Sequence, residues 1–233
     1  MKFAIISAGE GSRLALEGSL LPKPLVPICG EPMIGRLMRI MKECGAETVS
    51  VIVNPSNTQT LDYLHSVRDL FGVDIHTAAT ESSMHSLNVL AGSLHGDRCC
   101  VTTVDTIFNP ADFRAYIHEL ETSDSDGLMG VTSYIDDEKP LYVGISDGMR
   151  ITGFYDEPSG CTLVSGGIYG LSDKSLDVLS VCVSSGLSRM RAYQRRLVEE
   201  HLDIRAFRFG DIIDVDHISD IGKAEKLIHS RTE

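Results

Sequence analysis

The sequence has no apolar run approaching the ~18 residues that a membrane-spanning helix needs, so an integral membrane role is not expected. It also lacks positive charge: 21 Lys and Arg stand against 33 Asp and Glu, a formal net charge of −12. Such a chain repels polyphosphate backbones, which argues against DNA or RNA as the main partner. A small phosphorylated ligand is still allowed, because a few local cations can hold one. The six cysteines show no Cys-x-x-Cys and no Cys/His metal spacing. They read as reduced, mostly buried thiols of a cytoplasmic protein. The apolar start, Phe3 to Ile6, is too short for a secretory leader and runs straight into glycines. Internal repeats, linkers and low-complexity segments are missing as well. A length of 233 residues then points to one domain, with residues 1–126 as a first half and 127–233 as a second.

The apolar pattern gives the architecture. Phe3–Ile6, Val49–Val53, Val73–Thr77 and Cys99–Val104 read as buried strands. Between them Met33–Cys44, Thr58–Leu70 and Ser86–Leu94 carry helical periodicity, and Pro110–Glu121 follows with proline at a first-turn position. Strict β-α alternation predicts an α/β fold with a mostly parallel sheet covered by helices on both faces. After Gly127 short strands are expected at 128–134, 142–145, 150–155 and 163–171. A helix over 188–201, a strand over 204–209 and a closing helix over 217–229 complete the reading. Ligands of such sheets bind beyond the carboxyl ends of the strands. Both the first glycine turn and Asp105 fall there.

That turn is Ala8-Gly9-Glu10-Gly11-Ser12-Arg13. Glycines permit a sharp bend and close backbone approach, successive N–H groups form an anion-binding concavity, and Arg13 offers a fork of donors suited to phosphate. The turn is not a P-loop, because Gly-Lys-Ser/Thr is missing. Nor is it the dinucleotide fingerprint, because position 14 is leucine. Downstream, Lys23 lies between Pro22 and Pro24, which restrict the backbone around it. A lysine held there suits a second phosphate-binding cation.

Ile6 to Leu14 followed by Pro22-Lys23-Pro24-Leu25 resembles the opening of the sugar-nucleotide pyrophosphorylase (nucleotidyltransferase) family. The resemblance implies a fold like that of GT-A glycosyltransferases, a Rossmann-like mixed sheet. It also implies a reaction: a nucleoside triphosphate and a phosphomonoester, most simply a sugar-1-phosphate, combine with release of pyrophosphate. By this resemblance Ala8, Gly9, Gly11, Ser12, Arg13, Lys23 and Ser86 bind the nucleotide, and Arg13, Lys23 and Asp105 carry catalysis. Val101–Asp105 matches the family strand that ends in a metal-binding aspartate, and Mg2+ is the implied cofactor. A second metal-binding acid is Asp214 or Asp216. If 213–216 is extended, the two share a face and spacing does not choose between them, though Asp216 is preferred. Tyr142–Ile145 and Ile151–Pro158 resemble the segment that closes over the sugar, and Ser165–Tyr169 resembles the family's Asn/Ser-x-Gly-Ile-Tyr strand; the resemblance places Gly144, Glu157 and Gly167 at the acceptor.

Two departures stand out. Asp156-Glu157-Pro158 replaces a Glu-Lys-Pro whose lysine contacts the sugar phosphate, and Ser83–Leu87 is closer to the branch that activates phosphocholine or other small phosphates. CTP-dependent activation of such a phosphate is therefore the leading alternative. A glycosyltransferase using Asp214-Val215-Asp216 and a catalytically silent nucleotide-sugar sensor are the others. Homodimers are the family's common habit.

Overall fold

A computed structural model of the chain describes residues 1–229. In chain order the elements are β1 (Lys2–Ser7), α1 (Ser12–Leu16), β2 (Pro27–Ile28), β3 (Glu31–Pro32), α2 (Met33–Glu43), β4 (Val49–Val53), α3 (Thr58–Phe71), β5 (Val73–Thr77), α4 (Ser83–Leu94), β6 (Cys99–Thr103), β7 (Thr106–Ile107) and α5 (Pro110–Thr122). There follow β8 (Gly127–Thr132), β9 (Tyr142–Ile145), β10 (Ile151–Tyr155), β11 (Leu163–Leu171), α6 (Asp173–Ser184), α7 (Met190–Glu199), β12 (Ile204–Arg208), β13 (Ile213–Asp214) and α8 (Ile218–His229).

Nine strands form one sheet. β5, β4, β1 and β6 lie side by side and parallel, as short β-α connections require. β11 then enters antiparallel to β6. Its other edge takes β8, which pairs in parallel with β12, and its start takes the β9–β10 hairpin. The fold is the mixed α/β sheet that the β-α alternation predicts.

Alternation along β1 explains the two-sided core. Ala4 and Ile6 pack with Met84, Leu87 and Leu90 of α4 and with Leu176 and Leu179 of α6. Phe3 and Ile5 face the opposite way, against Ile34, Leu37 and Met41 of α2 and Phe113 of α5. A strand buried on both faces has no room for polar alternation, hence its continuous apolar run.

Four local features differ from the sequence reading. α6 falls where no element was expected: Leu176, Leu179 and Cys182 give it a buried stripe, but three valines and several serines weaken its helical signal. α4 begins three residues earlier than its apolar pattern, because the Ser82 hydroxyl caps it by accepting the His85 N–H. The stretch after Arg13, read as turn and loop, contains α1 and a 3-10 turn at Lys23–Leu25. The six cysteines are all free, and only Cys99, Cys100 and Cys182 are fully buried. Among the described residues no helix is long and apolar enough to cross a membrane.

Candidate active site

The site is assembled where β1 and β6 end. Gly11 has a left-handed backbone (φ 61) at the start of α1. That turn leads into α1, and residues 8–13 line a cleft of about 830 Å³. Thr80, Ser82 and Ser86 line the facing wall, with the Ser86 and Thr80 hydroxyls 2.6 Å apart. Lys23 and Asp105 line the floor. Such a volume lies within the usual range for small-molecule clefts.

A second cavity of about 220 Å³ adjoins the first, and Arg13 and Asp216 line both. Its wall includes Tyr134, Asp136, Asp137 and Glu138 from the loop after β8, Ser165 of β11, and His217 and Lys223 near α8.

The junction holds an ion network. Lys23 Nζ donates to Asp105 at 2.5 Å and to Asp216 at 2.6 Å. Arg13 donates to the other Asp216 oxygen at 2.6 Å. Burial alone would lower the Lys23 ammonium's affinity for its proton, but the two carboxylates outweigh it and raise the pKa. Burial would likewise raise the Asp105 carboxyl, and Lys23 outweighs it and holds it below its ordinary value.

Asp216 reaches this point from the far end of the chain by a short ribbon. β13 pairs antiparallel with β7, and the Val215 N–H donates to the Asp105 carbonyl. Asp220 is buried. Its carboxylate accepts the N–H groups of Asp216 and His217 and so fixes the turn into α8. Glu17, after α1, accepts from His217 Nδ1 and from the Ile218 N–H. The glycine-turn loop is thereby tied to the segment that carries Asp216. Sequence reasoning missed this contact, since nothing in the local pattern links positions 200 residues apart.

Asp214 takes a different hydrogen-bond partner. It accepts from Thr106 Oγ1 at 3.1 Å, and that hydroxyl lies 2.6 Å from Thr103 Oγ1. Its pKa is raised to about 7, first by the surrounding protein and then by the Asp105 charge. β13 covers only Ile213 and Asp214. The 213–216 stretch is therefore not extended throughout, and the two acids part ways.

Gly167 sits directly above the threonine pair. Its φ is +70, and a Cβ there would lie 2.7 and 2.8 Å from the Thr106 and Thr103 hydroxyls. Gly144 and Glu157 line neither cavity. Gly144 is packed against Thr152 and Tyr155 within the β9–β10 hairpin. Arg191 and Arg195 of α7 both pair with Asp156.

A divalent cation fits the residues present. Asp105 and Asp216 direct one carboxylate oxygen each at a single nitrogen, an arrangement of hard oxygen donors around one cationic centre. No three acidic, histidine or cysteine side chains converge among the described residues. Two carboxylates suit an ion that completes its shell with water and substrate phosphate, as Mg2+ does.

Known proteins agree with this architecture. An inositol-1-phosphate CTP transferase structure from T. maritima superposes with a TM-score of 0.80 at 16% identity, covering 97% of each chain. A Bacillus anthracis structure, assigned as a glucose-1-phosphate thymidylyltransferase and bound to sucrose, gives 0.84 at 20% identity, covering 97% of this chain and 94% of that one. At these identities the likeness concerns the fold. A bifunctional sugar-1-phosphate nucleotidylyltransferase/acetyltransferase of Sulfurisphaera tokodaii is 36% identical over 59 residues, which span 25% of this chain and only 15% of that protein. The MobA-like NTP transferase domain matches residues 3–150, more than half of the sequence, and the chain belongs to that family.

Proposed function

We propose that the chain is a nucleotidyltransferase that joins a nucleoside triphosphate to a phosphomonoester, most simply a sugar-1-phosphate, and releases pyrophosphate. One observation carries this reading: Arg13, Lys23, Asp105 and Asp216 form a single network where a large cleft meets a small one. The large cleft takes the triphosphate and the small one the acceptor. Residues 1–126 supply nearly all of the former, and 127–233 most of the latter.

The acceptor's phosphate oxygen attacks the α-phosphorus in line. A new P–O bond forms as the bond to the β-phosphate bridging oxygen breaks, and pyrophosphate leaves with that oxygen. A phosphomonoester has its second pKa near ~6 and is largely dianionic at neutral pH, so no general base is needed. The task is positioning and charge neutralisation.

Arg13, held by Asp216 at the junction of the two cavities, takes up the developing charge of the departing phosphates. Lys23 neutralises the triphosphate from below. The N–H groups of the turn from Ala8 to Ser12 line its path, and Ser86 and Thr80 face the nucleoside. Asp105 and Asp216 would hold Mg2+, which when bound offsets phosphate charge. Asp214 supports the floor through Thr106. Gly167 leaves room for that floor, whereas Gly144 and Glu157 shape the hairpin beside the acceptor cavity.

One feature favours a second acceptor class. Asp136, Asp137 and Glu138 give the acceptor cavity an acidic wall beside Tyr134, and no lysine stands at position 157. Such a wall suits a phosphate ester bearing a positive group, such as phosphocholine, as well as a polyol.

The test is metal-dependent pyrophosphate release, with the common nucleoside triphosphates crossed against hexose-1-phosphates, inositol-1-phosphate and phosphocholine. Release with one pair, abolished in Asp105→Ala, is expected. Triphosphate binding with no release from any pair would overturn the reading in favour of a silent sensor.

A further inference from the structure

The Lys23 ammonium and a divalent cation compete for the same place. Nζ is within 2.6 Å of a carboxylate oxygen from each of Asp105 and Asp216, the two residues assigned to the metal. A small divalent ion holds its oxygen ligands at about 2.0–2.1 Å, so both carboxylates cannot close on it while the nitrogen remains between them. The ammonium is well placed to keep its post. Pro22 and Pro24 restrict the backbone on either side, and a Cβ at Gly11 would lie 2.7 Å from Lys23 Cβ, so the stem is gripped as well. The Lys23 side chain is only 12% exposed.

We infer that Lys23 is a resident counter-ion that keeps Asp105 and Asp216 closed to free metal, and that it yields the position only when a triphosphate arrives to receive its ammonium. This inference rests on the assignment of those two acids under the proposed function. Its physical basis is charge balance. Removing Lys23 from two carboxylates without a new partner leaves a charge stranded in a mostly buried position. Phosphate oxygens in the adjoining cleft supply that partner through charge-assisted hydrogen bonds. Metal and triphosphate should therefore bind with positive coupling, in which each makes room for the other. The rest of the network supports such an exchange. Arg13 holds the outer oxygen of Asp216 and the Asp220 carboxylate fixes its backbone, so the acid stays in place while its cation changes.

The experiment measures Mn2+ binding to the whole chain without nucleotide, by calorimetry and by the Mn2+ spin-resonance signal. Lys23→Met should bind Mn2+ at least about tenfold more tightly than the wild type, in keeping with typical coupling between sites. Lys23→Arg, which keeps a cation in place, should remain weak. The gain should vanish in Lys23→Met combined with Asp105→Asn. Equal affinity in wild type and Lys23→Met, or binding by neither, would overturn the inference.

These binding readouts do not use turnover. A chain that exchanges Lys23 for metal but releases no pyrophosphate would contradict the proposed function alone. A chain that turns over without the exchange would contradict this inference alone.

Discussion

Gly11 and Lys23 meet at a distance that leaves no space for a side chain: a Cβ on Gly11 would lie 2.7 Å from Lys23 Cβ. The two motif segments, twelve positions apart in sequence, are thus packed against each other, and the glycine sets the height at which the lysine enters the floor of the cleft. Gly11→Ala adds a left-handed residue, costing about 1–2 kcal/mol, to a clash. We expect a stability loss of at least that size in denaturant titration. Turnover at saturating substrate should fall more than tenfold even at temperatures where the variant is fully folded.

Arg13 and Ile5 should separate chemistry from folding. Arg13 is itself exposed and pairs with the half-buried Asp216, and pairs with one exposed partner contribute about 0–1 kcal/mol to stability. Arg13→Ala should leave the melting temperature nearly unchanged while lowering turnover by ~10²–10³, as removal of a preorganised transition-state charge does. Ile5 is fully buried in the central strand. Ile5→Ala should cost about 2–5 kcal/mol, with much smaller effect on the rate per folded molecule. Retained fold and undiminished turnover in Arg13→Ala would remove that residue from the mechanism.

Asp214 predicts a pH effect in metal-free protein. Its folded pKa is raised to about 7 by the surrounding protein and the Asp105 charge; the residue is open to solvent, which screens part of that effect, and folding favours the protonated acid. The group costs nothing below the ordinary carboxyl pKa, and the cost grows as pH rises from there through the folded value. Asp214→Asn removes the charge and keeps an acceptor for Thr106. The variant should melt at about the wild-type temperature near pH 4 and above it at pH 8, with the gap opening between. A gap that closes as pH rises would contradict the assignment.

Asp126 should behave in the opposite sense. Its carboxylate accepts the Asp203 N–H and pairs with Lys174, while its carbonyl accepts from Ser172 and Ser175. One residue thereby ties the start of β8 to α6 and β12. Burial alone would raise its pKa, but the Asp203 N–H and Lys174 outweigh it, so the folded pKa is lowered. The stabilisation is present above the ordinary carboxyl pKa and is lost as pH falls through the folded value. Asp126→Asn should cost about 1–2 kcal/mol at pH 7, and the difference from wild type should shrink below about pH 4.

The parallel half of the sheet was open to reading because each strand is a continuous apolar run followed by a helix with its own periodicity. β4 and β5 fall on the residues that the pattern predicts. α6 was not legible, because valine and serine blur a helix whose stripe is plain only once it is packed. Arg13, Lys23 and Asp105 could be singled out from glycine and proline punctuation and from strand ends. Choosing Asp216 over Asp214 as the partner of Lys23 required the β7–β13 ribbon, whose strands are two residues long and carry no periodicity. Glu17 escaped for the same reason: its partners are fixed by tertiary approach.

The bond from Arg13 to Asp216 spans 203 positions and that from Lys23 to Asp216 spans 193. During synthesis the glycine turn, the lysine and Asp105 all emerge long before their last partner. A nascent chain stalled in β12 would leave Lys23 with Asp105 as its one carboxylate and Arg13 without its acid. The arrival of residue 216 is the step that joins both cations, so the junction of the two cavities exists only once the distant ends of the fold have met.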